Sequence, residues 1–517
     1  MDNNREIKRV STGIKSLDKV LRGGLPIGEM YVVSGSPGTG KTTLALHFLA
    51  AGSQMGEQVL CLSLAQRIES LKQTAYSVGI DISNVIFKDF SSVEALQSLM
   101  EQQTIFDTSE VEMAEMMQAF TQVIEDVQPE RVVFDGISHL RMLANHALTY
   151  RQELFTLRDY MSDRVITTLL TDTREVAPRD HELSAIAHGV INLSIKTTSH
   201  GSDHRYMHIP KIRGIDYALG QHDVEISHQG MRVYQSYRAI PAKPYEYTPN
   251  AYTPSNPIKE GKLIEAKTIT SGLEALDQLI GGGLLSGTTC LLVGPSGTGK
   301  TSLSTAFARQ FVKSGGKVSL FLFDELTGTL TRRAQGLGIA IDEFVSQDRI
   351  RLHELSFGNI TPGKLNYLIE HDVETWGAGM VIIDTLTGYL SAMPNENRLI
   401  AQMHELLMGL SRRDIMTFVV VAQHGVIGPT LEVPVDISYL ADTVLLLRHF
   451  EAEGELRQAV SVYKKRFGAH ERRIREIQLQ PGKIKVGEPL RQFSGILTGT
   501  PSYTGESSHL IEKDQAD

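Results

Sequence analysis

The chain of 517 residues contains one sequence pattern twice. The stretch STGIKSLDKVLRGGLPIGEMYVVSGSPGTGKTTL, which begins at Ser11, returns as TSGLEALDQLIGGGLLSGTTCLLVGPSGTGKTSL, which begins at Thr270. Lys300 follows Lys41 by 259 residues, and the same offset holds throughout this stretch. A repeat of this length predicts two copies of one domain, so the sequence has to encode one fold used twice.

The repeat divides the chain into four segments. We predict a first domain over residues 1–240 and a second over 263–490. Between them, residues 241–262 contain five prolines and no apolar periodicity, which is typical of an extended linker. Residues 491–517 are rich in Gly, Ser and Thr, and we predict a C-terminal loop followed by a flexible tail.

Short apolar runs alternate with longer helical stretches in both copies. The runs MYVVSG, VLCLSL, RVVFDG and VITTLLT in the first copy correspond to TCLLVG, VSLFLF, MVIID and TFVVVA in the second. Continuous apolar strands separated by helices are typical of a parallel sheet that is covered on both faces. The predicted class is therefore α/β, with a mainly parallel sheet flanked by helices in each domain.

A glycine-rich loop of the form G-x-x-x-x-G-K-T follows the first of these strands in each copy. Its backbone N–H groups can surround phosphate oxygens, its lysine can reach the β- and γ-phosphates, and its hydroxyl can coordinate Mg²⁺. Because each loop stands between a predicted strand and a predicted helix, a chance glycine-rich turn is a poor alternative. The predicted ATP-binding residues of the first copy are Gly35, Ser36, Pro37, Gly38, Thr39, Gly40, Lys41, Thr42 and Thr43. Those of the second copy are Gly294, Pro295, Ser296, Gly297, Thr298, Gly299, Lys300, Thr301 and Ser302.

Each copy also ends an apolar strand with an aspartate, Asp135 after RVVF and Asp384 after MVII. A carboxylate in this position needs solvent or a cation. We predict that Asp135 and Thr42 in the first copy, and Asp384 and Thr301 in the second, bind Mg²⁺. The alternative is that each aspartate caps the turn that follows.

The two copies differ where hydrolysis would need a base. The second strand of the second copy ends in FLFDELT, and we predict that Asp324 and Glu325 orient and deprotonate the attacking water. The same offset leads to Ala65 and Gln66 in the first copy, which lack a carboxylate. We therefore expect the first copy to bind ATP and hydrolyse it poorly. Glu69, one helical turn further on, is a weaker substitute, and a solvated strand end is the alternative for the acidic pair.

A basic pair follows a strand-like run late in each copy. Lys211 and Arg213 follow YMHIP, and Lys464 and Arg466 follow AVSVY. Alternate residues of an extended segment share a face. We predict that these pairs stabilise the phosphates of a nucleotide that a neighbouring subunit holds. An exposed edge strand protected by charge is the alternative.

The overall composition narrows the class of protein. The net charge is −9, which disfavours binding to a polyphosphate backbone, so nucleic acid is an unlikely partner. No apolar run approaches the ~18 residues of a membrane span, and the first residues lack the apolar core of a secretion signal. Cys61 and Cys290 lie in apolar strands, which is typical of buried thiols in a reducing compartment. We expect a cytoplasmic protein without a membrane partner.

These features together resemble the KaiC family of double-domain RecA-like ATPases. The resemblance is carried by the repeated preamble of the form S/T-G-x-x-x-L-D, the two phosphate loops, the post-strand acidic pair, the Lys-x-Arg elements and the FSGILTGTP stretch. It implies two tandem RecA-like P-loop NTPase domains that bind ATP and Mg²⁺ between subunits of a homohexameric double ring. It further implies slow ATPase activity, serine/threonine autokinase activity in the second ring, a role in timing or signalling, and KaiB-like or other regulatory protein partners.

The sequence departs from the family at the phosphoacceptor. The family's I-S-T-I-T-D-T stretch corresponds here to ISYLADT, in which Ser438 remains and Tyr439 replaces the threonine. Ser438 is thus the predicted phosphoacceptor, Tyr439 a second candidate, and a two-site cycle is not implied. The alternative is that both residues simply begin a strand.

Two further functions remain open at this point. The same fold drives nucleic-acid motors, so a RecA/DnaB-like nucleic-acid-dependent ATPase is the first alternative. The negative net charge and the lack of a basic-aromatic stretch count against it. The second alternative is a scaffold in which ATP only joins subunits.

Overall fold

The computed structural model forms two compact units, residues 1–238 and 239–517. The predicted linker, 241–262, lies outside the described residues, and so does most of the segment 491–517. In that C-terminal segment, Phe493–Ser494 pairs with Ser502–Tyr503. The structure describes residues 7–91, 113–143, 147–173, 182–197, 203–235, 267–356, 360–391, 396–423, 438–452, 454–496 and 502–503.

The first unit is built on a nine-stranded sheet. Six adjacent strands are parallel and the last three are antiparallel. The strands follow one another across the sheet in the order Ile86–Asp89, Val59–Ser63, Arg131–Asp135, Thr167–Thr173, Met30–Gly35, Gly189–Thr197, Asp203–Ile212, Gln221–Ser227 and Gly230–Tyr234.

The second unit repeats this topology, again with six parallel and three antiparallel strands. The order across its sheet is Ile350–Glu354, Val318–Leu322, Met380–Asp384, Met416–Ala422, Thr289–Gly294, Thr443–Ala452, Glu455–Lys465, Ile474–Gln480 and Lys483–Pro489. The strands that the apolar runs predict are all present, so the predicted α/β class with two mainly parallel sheets is confirmed.

Helices cover both faces of each sheet. The first unit has helices Lys15–Val20, Lys41–Gln54, Ile68–Ser77, Met113–Val127, Leu140–Leu143, Ala147–Asp163 and Glu182–Ile186, with a 3₁₀ turn at Ile137–His139. The second has helices Glu274–Leu279, Lys300–Lys313, Thr327–Gly336, Asp342–Ser346, Pro362–His371, Leu386–Ser391 and Glu396–Arg412, a π-helical turn at Asp372–Trp376 and a 3₁₀ turn at Ser438–Leu440. Among the described helices, none combines the length and the apolarity that crossing a bilayer requires.

The core of each unit consists of two apolar layers, one on each face of the sheet. In the first unit, Val33 packs in the layer that includes the helix Lys41–Gln54, and its neighbour Val32 packs in the layer that includes the helix Ala147–Asp163. Successive side chains of a strand point to opposite faces, so a strand between two layers has to be apolar throughout. Burying one such valine or leucine stabilises the fold by about 1.5–3 kcal/mol. The second unit has the same two layers.

The repeated preamble has a structural role. The Asp18 carboxylate accepts hydrogen bonds from the backbone N–H and the hydroxyl of Thr12, at 2.8 and 2.7 Å. Asp277 accepts the same two bonds from Ser271, both at 2.8 Å. A Cβ atom on Gly13 would lie 2.2 Å from the carbonyl oxygen of His47. The preamble therefore packs closely against the helix that follows the phosphate loop.

Candidate functional site

The first phosphate loop connects the strand Met30–Gly35 to the helix Lys41–Gln54. Gly40 precedes the helix with a φ of 103°, and a Cβ atom there would lie 2.5 Å from Ile226 Cδ1, so only glycine fits. The Lys41 ammonium donates to the carbonyl oxygens of Gly35 at 2.8 Å and Ser36 at 3.0 Å. Burial lowers the pKa of Lys41. The lysine thus lies folded along the loop whose phosphate it is predicted to contact.

The second phosphate loop has the same construction, between Thr289–Gly294 and the helix Lys300–Lys313. Gly299 has a φ of 93° in the corresponding position. The Lys300 ammonium donates to the carbonyl oxygen of Pro295 at 2.6 Å. Burial lowers the pKa of Lys300 to about 8, against the opposing charge of Asp384.

The predicted metal ligands of the first unit are in contact. Asp135 Oδ1 accepts hydrogen bonds from Thr42 at 3.2 Å and from Thr171 at 2.8 Å. Its other oxygen, Oδ2, is buried and has no hydrogen-bond partner among the described residues. Burial raises the pKa of this carboxyl group. A buried carboxylate oxygen without a donor, next to a hydroxyl, is the environment that a divalent cation would satisfy.

The predicted ligands of the second unit show the same features. Asp384 Oδ2 is buried without a partner in the described part of the chain. Burial raises the pKa of Asp384 to about 6. A hydrogen bond from Thr301 and the charges of Arg333 and Lys300 oppose this shift, while the charge of Glu325 adds to it. Asp384 therefore lies at the centre of a group of charges that a bound cation would change.

The acidic pair of the second unit is held by two neighbours. Asp324 is exposed at the end of its strand and accepts a hydrogen bond from the Thr385 hydroxyl at 2.5 Å. Glu325 forms an ion pair with Arg333 at 2.7 Å, and its side chain is 19% exposed. Because Thr385 directly follows Asp384, both carboxylates of the pair lie beside the predicted metal ligand.

The first unit lacks these carboxylates and also their partners. A Cβ atom on Gly136, which follows Asp135, would lie 2.4 Å from the Ala65 Cβ. Gly136 thus packs next to Ala65, whereas the corresponding Thr385 of the second unit donates a hydrogen bond to Asp324. Gln66 is half-buried, and Glu69 is exposed on the helix Ile68–Ser77.

The basic pair of the first unit lies away from the phosphate loop of the same unit. Lys211 pairs with Val190, which stands beside Val32 near the start of the loop strand, whereas the loop leaves the other end of that strand. Arg213 donates to the carbonyl oxygen of Ala185 at 3.4 Å. The structure therefore does not bring Lys211 and Arg213 together with Lys41 within one unit.

The basic pair of the second unit contacts the segment that carries the predicted phosphoacceptor. The Lys464 ammonium donates to the Ala441 carbonyl at 3.0 Å. Arg466 donates to the Tyr439 carbonyl at 3.4 Å and forms an ion pair with Asp442 at 3.3 Å. Lys464 pairs with Val444, which is near the beginning of the strand Thr443–Ala452. This end of the parallel strands is opposite to the end from which the phosphate loop leaves.

Ser438 begins the 3₁₀ turn Ser438–Leu440. The backbone of Ser438 therefore lies at the same end of the parallel strands as Lys464 and Arg466. The side chain of Ser438 is outside the described part of the structure. The Tyr439 side chain is 50% exposed. The predicted phosphoacceptors are thus placed beside the basic pair and apart from the phosphate loop of their own unit.

Sequence reasoning missed four residues at these sites. Three of them are Thr171, Thr385 and Arg333. Each contacts a predicted site residue through the register of neighbouring strands or through the next helix. The fourth is Asp172, which lies near the end of the strand Thr167–Thr173. Its signal was present, since the next-to-last residue of VITTLLTDT is charged, whereas the corresponding residue of TFVVVA in the second copy is Val421.

Comparison with known proteins agrees with this geometry. Residues 10–238 and 269–491 each match a family model described as an ATPase, KaiC. The circadian clock oscillator protein KaiC of Acaryochloris marina is 24% identical over 512 residues, which cover 97% of this chain and 92% of that protein. The circadian clock protein KaiC3 of Synechocystis sp. is 24% identical over 518 residues, covering 97% and 96%. KaiC of Parathermosynechococcus lividus is 25% identical over 529 residues, covering 99% and 92%. The predicted resemblance is confirmed: the chain belongs to the KaiC family of ATPases and carries its domain twice.

Proposed function

We propose that this chain is a homohexameric ATPase that acts in timing or signalling, with unequal work in its two domains. The second domain hydrolyses ATP and transfers phosphate to a serine or threonine side chain of the same protein. The first domain binds ATP, hydrolyses it poorly and serves assembly. The relatives named as circadian clock proteins support the timing role.

One observation carries the division of work. Both domains have the same loop, lysine and aspartate, but only the second ends its neighbouring strand in carboxylates, Asp324 and Glu325. In the first, Ala65 has no polar side-chain atom, and Gln66 can orient water but cannot accept its proton. Removing a general base costs about 10²–10⁴ in rate.

The residues fit Mg²⁺ in both domains. Thr42 with Asp135, and Thr301 with Asp384, would hold the ion, because each aspartate keeps one buried oxygen without a hydrogen-bond donor among the described residues. Mg²⁺ neutralises charge on the β- and γ-phosphates when bound. Lys41 and Lys300 leave their loop carbonyls to contact the same phosphates.

In the second domain, the chain's own residues manage the water and its proton. The water oxygen forms a bond to the γ-phosphorus, the bond from this phosphorus to the ADP oxygen breaks, and the water proton passes to a carboxylate of the acidic pair. Arg333 holds Glu325, and Thr385 holds Asp324, so neither carboxylate has to be ordered during the reaction.

The place of the basic pairs supports an assembly in which subunits share nucleotides. Lys464 and Arg466 lie at the end of the parallel strands opposite their own phosphate loop, so we propose that they contact the nucleotide of another copy. Lys211 and Arg213 have the corresponding place in the first domain. A closed ring of six copies gives every nucleotide one such neighbour.

The phosphoacceptor follows from the same placement. Ser438 begins the turn in which the Tyr439 carbonyl accepts a hydrogen bond from Arg466, and the Ala441 carbonyl, directly after the turn, accepts one from Lys464. If those side chains approach the γ-phosphate of a neighbouring copy, they bring Ser438 and Tyr439 to it as well. We propose Ser438 as the acceptor and Tyr439 as the second candidate.

The test of the ATPase assignment is Glu325→Gln, which keeps the shape of the side chain and a hydrogen bond to Arg333. We expect ATP turnover to fall by about 10²–10⁴ while nucleotide binding remains. Gln66→Ala is the matched control, because it alters the corresponding position of the first domain, and total turnover should then change little. Unchanged turnover in Glu325→Gln would refute the assignment of the second domain as the active one. Turnover that rises strongly with single-stranded DNA would instead support a nucleic-acid-dependent ATPase.

The test of the autokinase assignment is phosphosite mapping by mass spectrometry after incubation with Mg-ATP. We expect phosphate on Ser438, and its loss in Ser438→Ala with ATP turnover retained. Native mass measurement of the same sample gives the number of copies in the assembly. Absence of any phosphorylated residue removes the kinase activity from the proposal.

A further inference from the structure

The first domain contains a carboxylate that the second domain lacks. Asp172 lies beside Ser34 in the sheet, and the Ser34 hydroxyl donates to Asp172 Oδ2 at 3.2 Å. In the second sheet, the corresponding pair is Val293 beside Val421, and both are buried. A hydrogen-bonded polar pair thus replaces an apolar pair one residue before the phosphate loop begins. Packing alone gives no reason for this exchange, because the apolar pair fills the same place in the second domain.

The position of Asp172 places it beside the start of the first phosphate loop. Its strand, Thr167–Thr173, lies between the strand that leads into the phosphate loop and the strand that ends in Asp135. The charges of Asp135 and Asp172 both raise the pKa of Lys41 against the effect of burial, so Asp172 lies within electrostatic reach of the Lys41 ammonium. For Lys300 in the second domain, Asp384 is the carboxylate with this effect.

We propose that Asp172 is the carboxylate that supports ATP hydrolysis in the first domain, in place of the pair lost at Ala65 and Gln66. This inference rests on the proposed function, in which the first domain binds ATP. Asp172 orients the water and accepts its proton as the water oxygen bonds to the γ-phosphorus and the ADP oxygen leaves. The proton then passes to the released phosphate. Hydrolysis is slow because a single carboxylate, reached from a different strand, replaces two.

The competing carboxylate is Glu69. It is exposed on the helix Ile68–Ser77, and the described structure gives it no hydrogen bond or ion pair with a residue of the site. Asp172, in contrast, is half-buried, accepts a hydrogen bond from Ser34 and lies within electrostatic reach of Lys41. Glu69→Gln and Asp172→Asn remove the same charge by the same chemical change, so they form a matched pair.

The experiment uses the full chain with Asp324→Asn and Glu325→Gln, so that the remaining ATP turnover belongs to the first domain. Adding Asp172→Asn should lower this turnover by about 10²-fold, and Asp172→Glu should retain part of it. Adding Glu69→Gln should leave it unchanged. Native mass measurement of each variant shows whether nucleotide is retained. Asparagine keeps the shape of the aspartate side chain, so we expect Asp172→Asn to retain nucleotide.

Each result decides between the two proposals. If the first domain retains nucleotide and Asp172→Asn turns over ATP as fast as its parent, Asp172 has no catalytic role while the proposed function stands. The same holds if Glu69→Gln, rather than Asp172→Asn, removes turnover, or if the parent has no turnover above that of the same chain with Lys41→Ala. If the first domain retains no nucleotide in any variant, the proposed function itself fails there.

Discussion

The two predicted nucleotide sites share their loops and differ in the strand ends around them. In the second domain, Asp324 accepts a hydrogen bond from Thr385. In the first, Ala65 stands in van der Waals reach of Gly136. The first domain therefore lacks both the carboxylate and the side chain that positions it in the second domain. The difference between the domains is therefore an exchange of paired contacts across neighbouring strands, so a single substitution should not convert one site into the other.

The largest expected difference between the domains concerns their lysines. Lys300→Ala removes the ammonium that is predicted to contact the phosphates in the second domain, and we expect ATP turnover to fall by more than about 10²-fold. Lys41→Ala should instead impair assembly more than turnover, because in the proposed function ATP in the first domain serves assembly. Turnover assays and light scattering on both variants test the comparison. Complete assemblies in Lys41→Ala, or equal losses of turnover in both variants, would contradict it.

Restoring the acidic pair would test whether the first site can be converted into an active one. Ala65→Asp with Gln66→Glu restores the acidic pair, and in a chain with Asp324→Asn and Glu325→Gln we expect turnover to rise about tenfold. Full activity is not expected, because the carboxylate introduced at position 65 would lack the hydrogen bond that Asp324 receives from Thr385. Gly136→Thr cannot supply it, since Gly136 has a φ of 92° and its Cβ would collide with the side chain at position 65. A rise to the level of the unaltered chain would show that the partner side chains do not matter.

Much of this comparison could be predicted from the sequence. The phosphate loops, Asp135 and Asp384 lie within contiguous patterns that require a strand before them and a helix after them, and the structure has both. The acidic pair is predicted from its position at the end of an apolar strand, and the repeat shows that Ala65 and Gln66 take its place in the first domain. Local patterns of this kind remain readable because neighbours in the chain are neighbours in space.

The rest depends on contacts between distant parts of the chain. Ser34 meets Asp172 only because strand order and register place them side by side, 138 residues apart in the sequence. Arg333 meets Glu325 because the following helix turns back toward the strand end. The spacing predicts that Lys464 and Arg466 share one face of a strand, but it does not show at which end of the parallel strands they lie. Their position depends on how the antiparallel strand Glu455–Lys465 pairs with its neighbour.

Arg333 offers a smaller test of the comparison. Thr74 has the corresponding position in the first domain, so the ion pair with Glu325 belongs to the second domain alone. Arg333→Ala should lower turnover by about tenfold, because Glu325 is then free to leave the position that it holds toward the water. Arg332→Ala is the matched control, since Arg332 is its exposed neighbour on the same helix. Equal turnover in the two variants would show that the ion pair does not position Glu325.

The smallest expected effect is a difference in pH dependence of nucleotide affinity. Lys300 has a pKa of about 8 without nucleotide, and bound phosphates favour its charged form. Above that pH the free protein has lost a proton that the complex retains, so binding takes up a proton and affinity falls as pH rises. Asp384, with a pKa of about 6, has the opposite sign: its carboxyl group must lose a proton to bind the cation, so affinity falls as pH drops below that value.

Affinity for Mg-ATP at the second site should therefore be constant between these two values and fall about fivefold from about pH 8 to about pH 9. At the first site the alkaline decrease should begin at higher pH, because the charges of both Asp135 and Asp172 oppose the effect of burial on the pKa of Lys41. Two-site titrations with a fluorescent ATP analogue measure both decreases in the unaltered chain. Lys300→Arg stays charged throughout and should abolish the second-site decrease whatever its effect on absolute affinity, whereas an unchanged decrease in that variant would assign it to a group other than Lys300.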